Sequence, residues 1–252
     1  MTITEESWKQ YIETLSKVES EAARLMQEFL EANREPDGRW NSRETRQLII
    51  DYAFALAVKY GEAAAELACE MYDSVGALED IILPSAEPAQ TATYQETAKT
   101  VNGTIKLLNP VIIAAAIGRL VRQAGVDTTV NNAIRDKAEW AWIPIGDTCP
   151  FCISLAHEGW KQASKAALSG GHAEHVHANC DCNYAIRHKK ETNYAGYDPR
   201  KYARIFNDAE GDTEKEKLDA IAREQYAANA DEIRARKREE YAQRKEREEM
   251  FE

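Results

Sequence analysis

The feature that most narrows the possible folds is the spacing of apolar residues near the start of the chain. From Glu5 to Ala32, Trp8, Tyr11, Ile12, Leu15, Val18, Ala22, Leu25, Met26 and Leu30 recur at intervals of three and four. On a helix that spacing makes one apolar stripe, whereas on a strand it would scatter the same residues over both faces. The stretch "NREPDGRWNS" breaks the pattern, Asn41 or Ser42 stands where a cap is needed, and the period resumes from Leu48 to Met71. "ILPSAEPAQ", with Pro84 and Pro88, reads as a connector. Helical pattern then returns from about Ala92 to Leu108 and from Val111 to Ala138, which predicts a helical domain over residues 1–139.

The texture changes between residues 140 and 190. Trp140, Trp142, Pro144, Gly146, Pro150, Gly159, Gly170 and Gly171 predict turns and short elements, and all five histidines fall here. Residues 191–252 form a third segment, which after "YAGYDPRKYARIF" becomes dense in Lys, Arg and Glu from about Glu214 onward. Charges of opposite sign four residues apart suit a solvent-exposed helix, or a tail that orders on a partner. The expected fold class is mainly α: a helical domain, a small zinc-stapled, turn-rich α+β module, and a long charged C-terminal helix.

The zinc expectation comes from the cysteines. Four of the five lie in two tight pairs, "DTCPFC" and "HANCDC", about thirty residues apart, with a histidine before the second. Zn²⁺ in a structural site takes four thiolate or imidazole donors, and two closely spaced knuckles joined by a loop supply them. The candidate ligands are Cys149, Cys152, His177, Cys180 and Cys182, one more than the metal needs. Because Cys180 and Cys182 flank a single residue, the favoured set is Cys149, Cys152, His177 and either Cys180 or Cys182, with His175 as the substitute for His177. His157, His172 and His188 read as surface residues or as supports to the ligands. Unliganded thiols, or a redox pair at the CxxC, are the alternatives, the latter without a surrounding βαβ pattern. Cys69, within "AAAELACEMY", reads as a small buried apolar residue.

These residues resemble the signature of the phage Mu protein F-like family, the minor head proteins of tailed bacteriophages. The family carries an acidic residue and Thr before CPxC, a short stretch ending in Gly, and a closing HPNCRC. Asp147, Thr148, Cys149, Pro150, Cys152 and Gly159 match the first half, and His177, Asn179, Cys180 and Cys182 the second. Ala178 stands where Pro is usual, Asp181 where Arg is usual, and "KQASKAALSGGHAEHV" replaces a shorter connection, so the match covers about forty residues. What the resemblance implies is a structural, non-enzymatic role in head assembly, inside the virion, after passage through the host cytoplasm. The partners expected on this resemblance are the portal protein, the major capsid protein or both, with a scaffold and non-specific DNA contact through the C-terminal tail as secondary expectations.

Composition bounds the other functions. A net charge of -11 excludes a chain whose whole surface binds nucleic acid. The tail does group Arg234, Arg236, Lys237, Arg238, Arg244, Lys245 and Arg247, but Glu239, Glu240, Glu246, Glu248 and Glu249 are interleaved, which suits a protein surface better than a polyanion. The longest apolar run, "NPVIIAAAIGRLV", is interrupted by Arg119 and too short to span a bilayer, and nothing in "MTITEESWKQ" suggests a signal peptide. No GxxxxGK[ST], GxSxG or HExxH occurs. The alternative from another class is an HNH-like metal-dependent nuclease, with His175 or His177 as general base and Asn179 positioning. Against it, such modules close with a second CxxC, whereas this chain offers CxC.

Overall fold

The computed structural model describes residues 1–144, 148–164 and 183–231, together with residues 234, 235 and 238. The periodic segments are helices. Helix α1, Glu5–Ala32, starts on Thr4, whose hydroxyl accepts the Ser7 amide, and Glu5 and Glu6 add negative charge to its first turn. Of the two candidate caps for α2, Arg43–Leu78, it is Ser42 that accepts the Thr45 amide, at 3.1 Å. Helix α3, Tyr94–Thr104, opens with a capping box between Thr93 and Glu96. A 3-10 turn, Ile105–Leu107, follows, and α4, Pro110–Arg135, begins with Asn109 as cap and a proline in its first turn.

Helices α1, α2 and α4 pack on one another. Leu15, Ala22, Met26 and Leu30 of α1 are fully buried, as are Ile49, Ala53, Ala57 and Ala64 of α2 and Ile113, Ile117 and Val121 of α4. Each large apolar side chain so buried contributes about 1.5–3 kcal/mol. The small residues set the spacing of the helices. A Cβ at Gly125 would sit 3.1 Å from the Ala64 carbonyl oxygen and 3.5 Å from Leu15, so α2 and α4 approach closely there. Trp40, from the break after α1, closes one end of the core: it is buried and its indole N–H donates to the Leu30 carbonyl at 2.9 Å.

The connector after α2 is held by polar side chains. Asp73 accepts the Ala86 amide, Asn132 the Glu87 amide and Thr128 the Ala89 amide, while Arg135 donates to the Pro84 and Ser85 carbonyls. A segment without regular structure thus has its backbone groups satisfied by helices on either side of it in sequence.

Short strands follow the bundle. β2, Glu139–Ile143, pairs antiparallel with β3, Lys161–Gln162, and with β4, Asn183–Arg187; β1, Thr2–Ile3, pairs in parallel with β5, Asn193–Tyr194. Trp140 and Trp142 of β2 sit opposite Ile186 and Tyr184 and are buried with them. Tyr194 is buried with its ring edge against Trp8 at 5.1 Å and its hydroxyl donating to the Ile186 carbonyl.

The described residues form two compact units, and their limits differ from those expected at 140 and 190. One unit draws on Met1–Asp147 and Glu158–Tyr197, the other on Thr148–His157 and Asp198–Glu252. Two local facts account for the difference. Tyr194 belongs to the aromatic packing around Trp8, which takes residues after 190 into the first unit. Helix α5, Pro150–Ala156, packs on α6, Pro199–Asp208, and on α7, Glu214–Ala228. The segment read as a charged tail therefore includes a parallel strand and helices with buried faces: Tyr202 of α6 and Ala220 and Ile221 of α7. The long charged helix expected from Glu214 to Glu252 is described as α7 over Glu214–Ala228, capped by a Thr213–Glu216 box, and most of its expected continuation lies outside the described residues.

Candidate metal centre

Cys149 and Cys152 occupy the start of α5. Cys149 is its N-cap residue, in extended backbone, Pro150 occupies the first turn, and the Cys149 sulfur accepts the Cys152 amide at 3.4 Å. Cap and third helical position lie on the same side of the first turn, so the two-residue gap of CxxC puts both cysteines on one turn. Cys152 is fully buried and Cys149 partly so, and neither forms a disulfide with another described cysteine. This half of the motif fits a structural zinc site, with two thiolate donors held by a helix turn.

The unit around α5 fixes that turn. Gln225 of α7 donates to the Thr148 carbonyl at 2.7 Å, just ahead of the first cysteine. Behind it, His157 stacks on Phe206 of α6, ring centroids 4.4 Å apart, and its Nδ1 bonds the Ser154 carbonyl. A carbonyl only accepts, so Nδ1 carries the hydrogen and is closed to a metal. His157 is a packing residue of this unit, and neither of these contacts is to a candidate ligand.

His177, Cys180 and Cys182 lie outside the described residues, as do His172 and His175. Among the described residues no group of three or more His, Cys, Asp or Glu side chains is placed to hold a metal ion. The strands on either side of the motif are described, however. Ile143, six residues before Cys149, pairs with Asn183, the residue after Cys182. The antiparallel register thus starts and ends the intervening chain at one end of the β2–β4 ladder.

His188 just follows β4 and is a structural histidine. Its backbone N–H and that of Lys189 donate to the Glu79 carboxylate, Lys189 Nζ reaches the Glu79 carbonyl, and its ring meets Tyr72 edge-on at 5.5 Å. Burial lowers its pKa, opposed by the charges of Glu79 and Asp136. The Tyr72 hydroxyl donates to Asp136 at 2.9 Å, and Arg135 also pairs with that carboxylate. Sequence reasoning missed this acidic cluster, because Glu79 and Asp136 look like ordinary helix-end carboxylates. Only their position beside a strand more than fifty residues later distinguishes them. Cys69, on α2, was expected to be a small buried apolar residue; it is only partly buried, and burial is the chief cause that pushes its thiol up.

No helix among the described residues is long and apolar enough to cross a membrane. No curated protein and no solved structure matches the chain. A family match does exist, to the family described as VG15 protein, over residues 2–209, a span that takes in the bundle, both cysteine pairs and α6. The chain belongs to the VG15 family of viral (phage) proteins.

Proposed function

We propose that the chain is a structural, non-enzymatic minor head protein of a phage particle, held inside the capsid on the portal or on the inner face of the shell. In this reading one structural Zn²⁺ is bound by Cys149, Cys152, His177 and either Cys180 or Cys182. The zinc closes the segment between the cysteine pairs and supplies stability that short, turn-rich elements lack. The observation that carries the reading is that the phage-family match spans both halves of the cysteine motif. The placement of Cys149 and Cys152 on one helix turn, with an amide directed at sulfur, supports it further.

The experiment is metal analysis of the purified chain combined with its recovery from heads assembled with and without the portal. One zinc per chain and retention that depends on the portal are the expected results. A chain that enters heads equally without portal moves the proposed contact to the shell; one absent from heads altogether removes the role.

A further inference from the structure

We infer that the corner formed by α3, the 3-10 turn and the start of α4 is a docking surface for an acidic amphipathic helix of another protein. The argument starts from charge. Between Glu96 and Asp127 the chain holds no acidic residue, although it has 43 elsewhere, and it holds Lys99, Lys106, Arg119 and Arg122. Arg122 is buried and paired with Glu19. The other three are not buried, and among the described residues none of them is hydrogen-bonded or ion-paired.

Lys99 of α3 and Arg119 of α4 both line a groove of about 440 Å³, together with Gly103, Thr104 and Leu120. Glu96, at the end of that groove, is engaged by the amide and hydroxyl of Thr93. A Cβ at Gly103 would meet nothing within 4 Å, so the groove is open there.

The groove continues into apolar surface. Leu107, Leu108, Val111 and Ile112 are exposed by 58%, 42%, 56% and 43%. Ile112 and Arg119 lie two turns apart on one face of α4, so the apolar end and the cationic groove share a surface about 10 Å long. Four adjacent exposed aliphatics are unusual on a surface without a partner. Leu108, moreover, has a left-handed backbone, φ 53°, where glycine or asparagine is favoured and a branched side chain is strained. A leucine is therefore kept exposed in a conformation that disfavours it.

Apolar anchors flanked by cations fit a helix with an apolar face and acidic edges. A second copy docked through the same patch would bring Lys99, Lys106 and Arg119 against themselves. A nucleic acid would gain only three cation contacts and leave the aliphatics in water. This inference goes beyond the head-protein role, which names no surface, and needs neither the zinc nor the particle.

The test uses the full chain and a labelled helical peptide with leucines at i, i+3, i+4 and i+7 and glutamates on both edges, followed by fluorescence anisotropy. Binding should weaken about tenfold on Lys99→Glu with Arg119→Glu, and the same peptide with lysines for glutamates should not bind. Leu108→Gly should weaken binding while melting no lower than the parent, which separates loss of docking from loss of fold. The inference is overturned if the lysine peptide binds as well, if neither variant changes the affinity, or if duplex DNA or phosphatidylglycerol vesicles are preferred. Any of these leaves the zinc and virion readings standing, because those are judged by metal content and recovery from heads.

Discussion

Single residues show how closely this chain is fitted. Gly125 marks a close approach of α2 and α4, with the Ala64 carbonyl oxygen already 3.1 Å from where a Cβ would lie. Gly125→Val should destabilise the bundle by about 1–3 kcal/mol, read from chemical denaturation, because the backbone on both sides would have to move. His188 gives a pH prediction. Its pKa in the folded chain is below the ordinary 6.5, so the unfolded chain binds its proton first. Its contribution is complete above about pH 6.5 and declines as the pH falls toward the folded value. Its Nε2 is buried without a hydrogen-bond partner among the described residues. His188→Phe should keep the edge contact with Tyr72, melt no lower at neutral pH and lose part of the decline that sets in below about pH 6.5. Asp136 has its own window: the Arg135 guanidinium holds its carboxyl below 3.8 against burial, aided by the Tyr72 hydroxyl, so its contribution disappears only in stronger acid.

At the scale of elements, legibility followed the length of the periodic signal. Helix α1 ends at Glu5 and Ala32, where the apolar spacing places it, because nine apolar positions in one register leave little room for error. The course of the connector from Pro84 to Pro88 was hidden, since it depends on Thr128, Asn132 and Arg135, whose side chains reach back some forty residues or more. The segment from Glu214 was read as solvated because charge dominates it. In α7 the burial rests on two neighbouring residues, Ala220 and Ile221, with no stripe that a periodicity argument detects. Ile221→Ala should therefore cost about 2–5 kcal/mol, measured on the unfolding of the unit that contains α5. If that unit's stability does not change, α7 contributes charge alone. For the site, the CxxC was legible as a motif, whereas its place at the start of a short helix, with Cys149 as the cap, was not, because seven residues carry no periodic signal. The identity of the remaining donors depends on a turn that spacing does not specify, since CxC admits either cysteine.

For the whole molecule, a three-helix core, a small sheet and a second unit built around a cysteine-bearing helix belong to a chain of the VG15 phage family. The helical class was legible because composition and period agree over the first 138 residues. The division into units was not, because it depends on contacts remote in sequence, Thr2 paired with Asn193 and α5 packed on the helices after Asp198. The central claim is that thiolates from both cysteine pairs hold one zinc. Its most direct measurement is zinc content with X-ray absorption at the zinc edge, on the parent chain and on Cys149→Ser and Cys182→Ser. The account predicts about one equivalent in a sulfur-rich shell near 2.3 Å for the parent, and loss of metal with loosening around α5 for Cys149→Ser, while the α1–α4 helices remain folded. A parent chain free of zinc, or a Cys149→Ser chain that keeps its metal and its melting temperature, contradicts it.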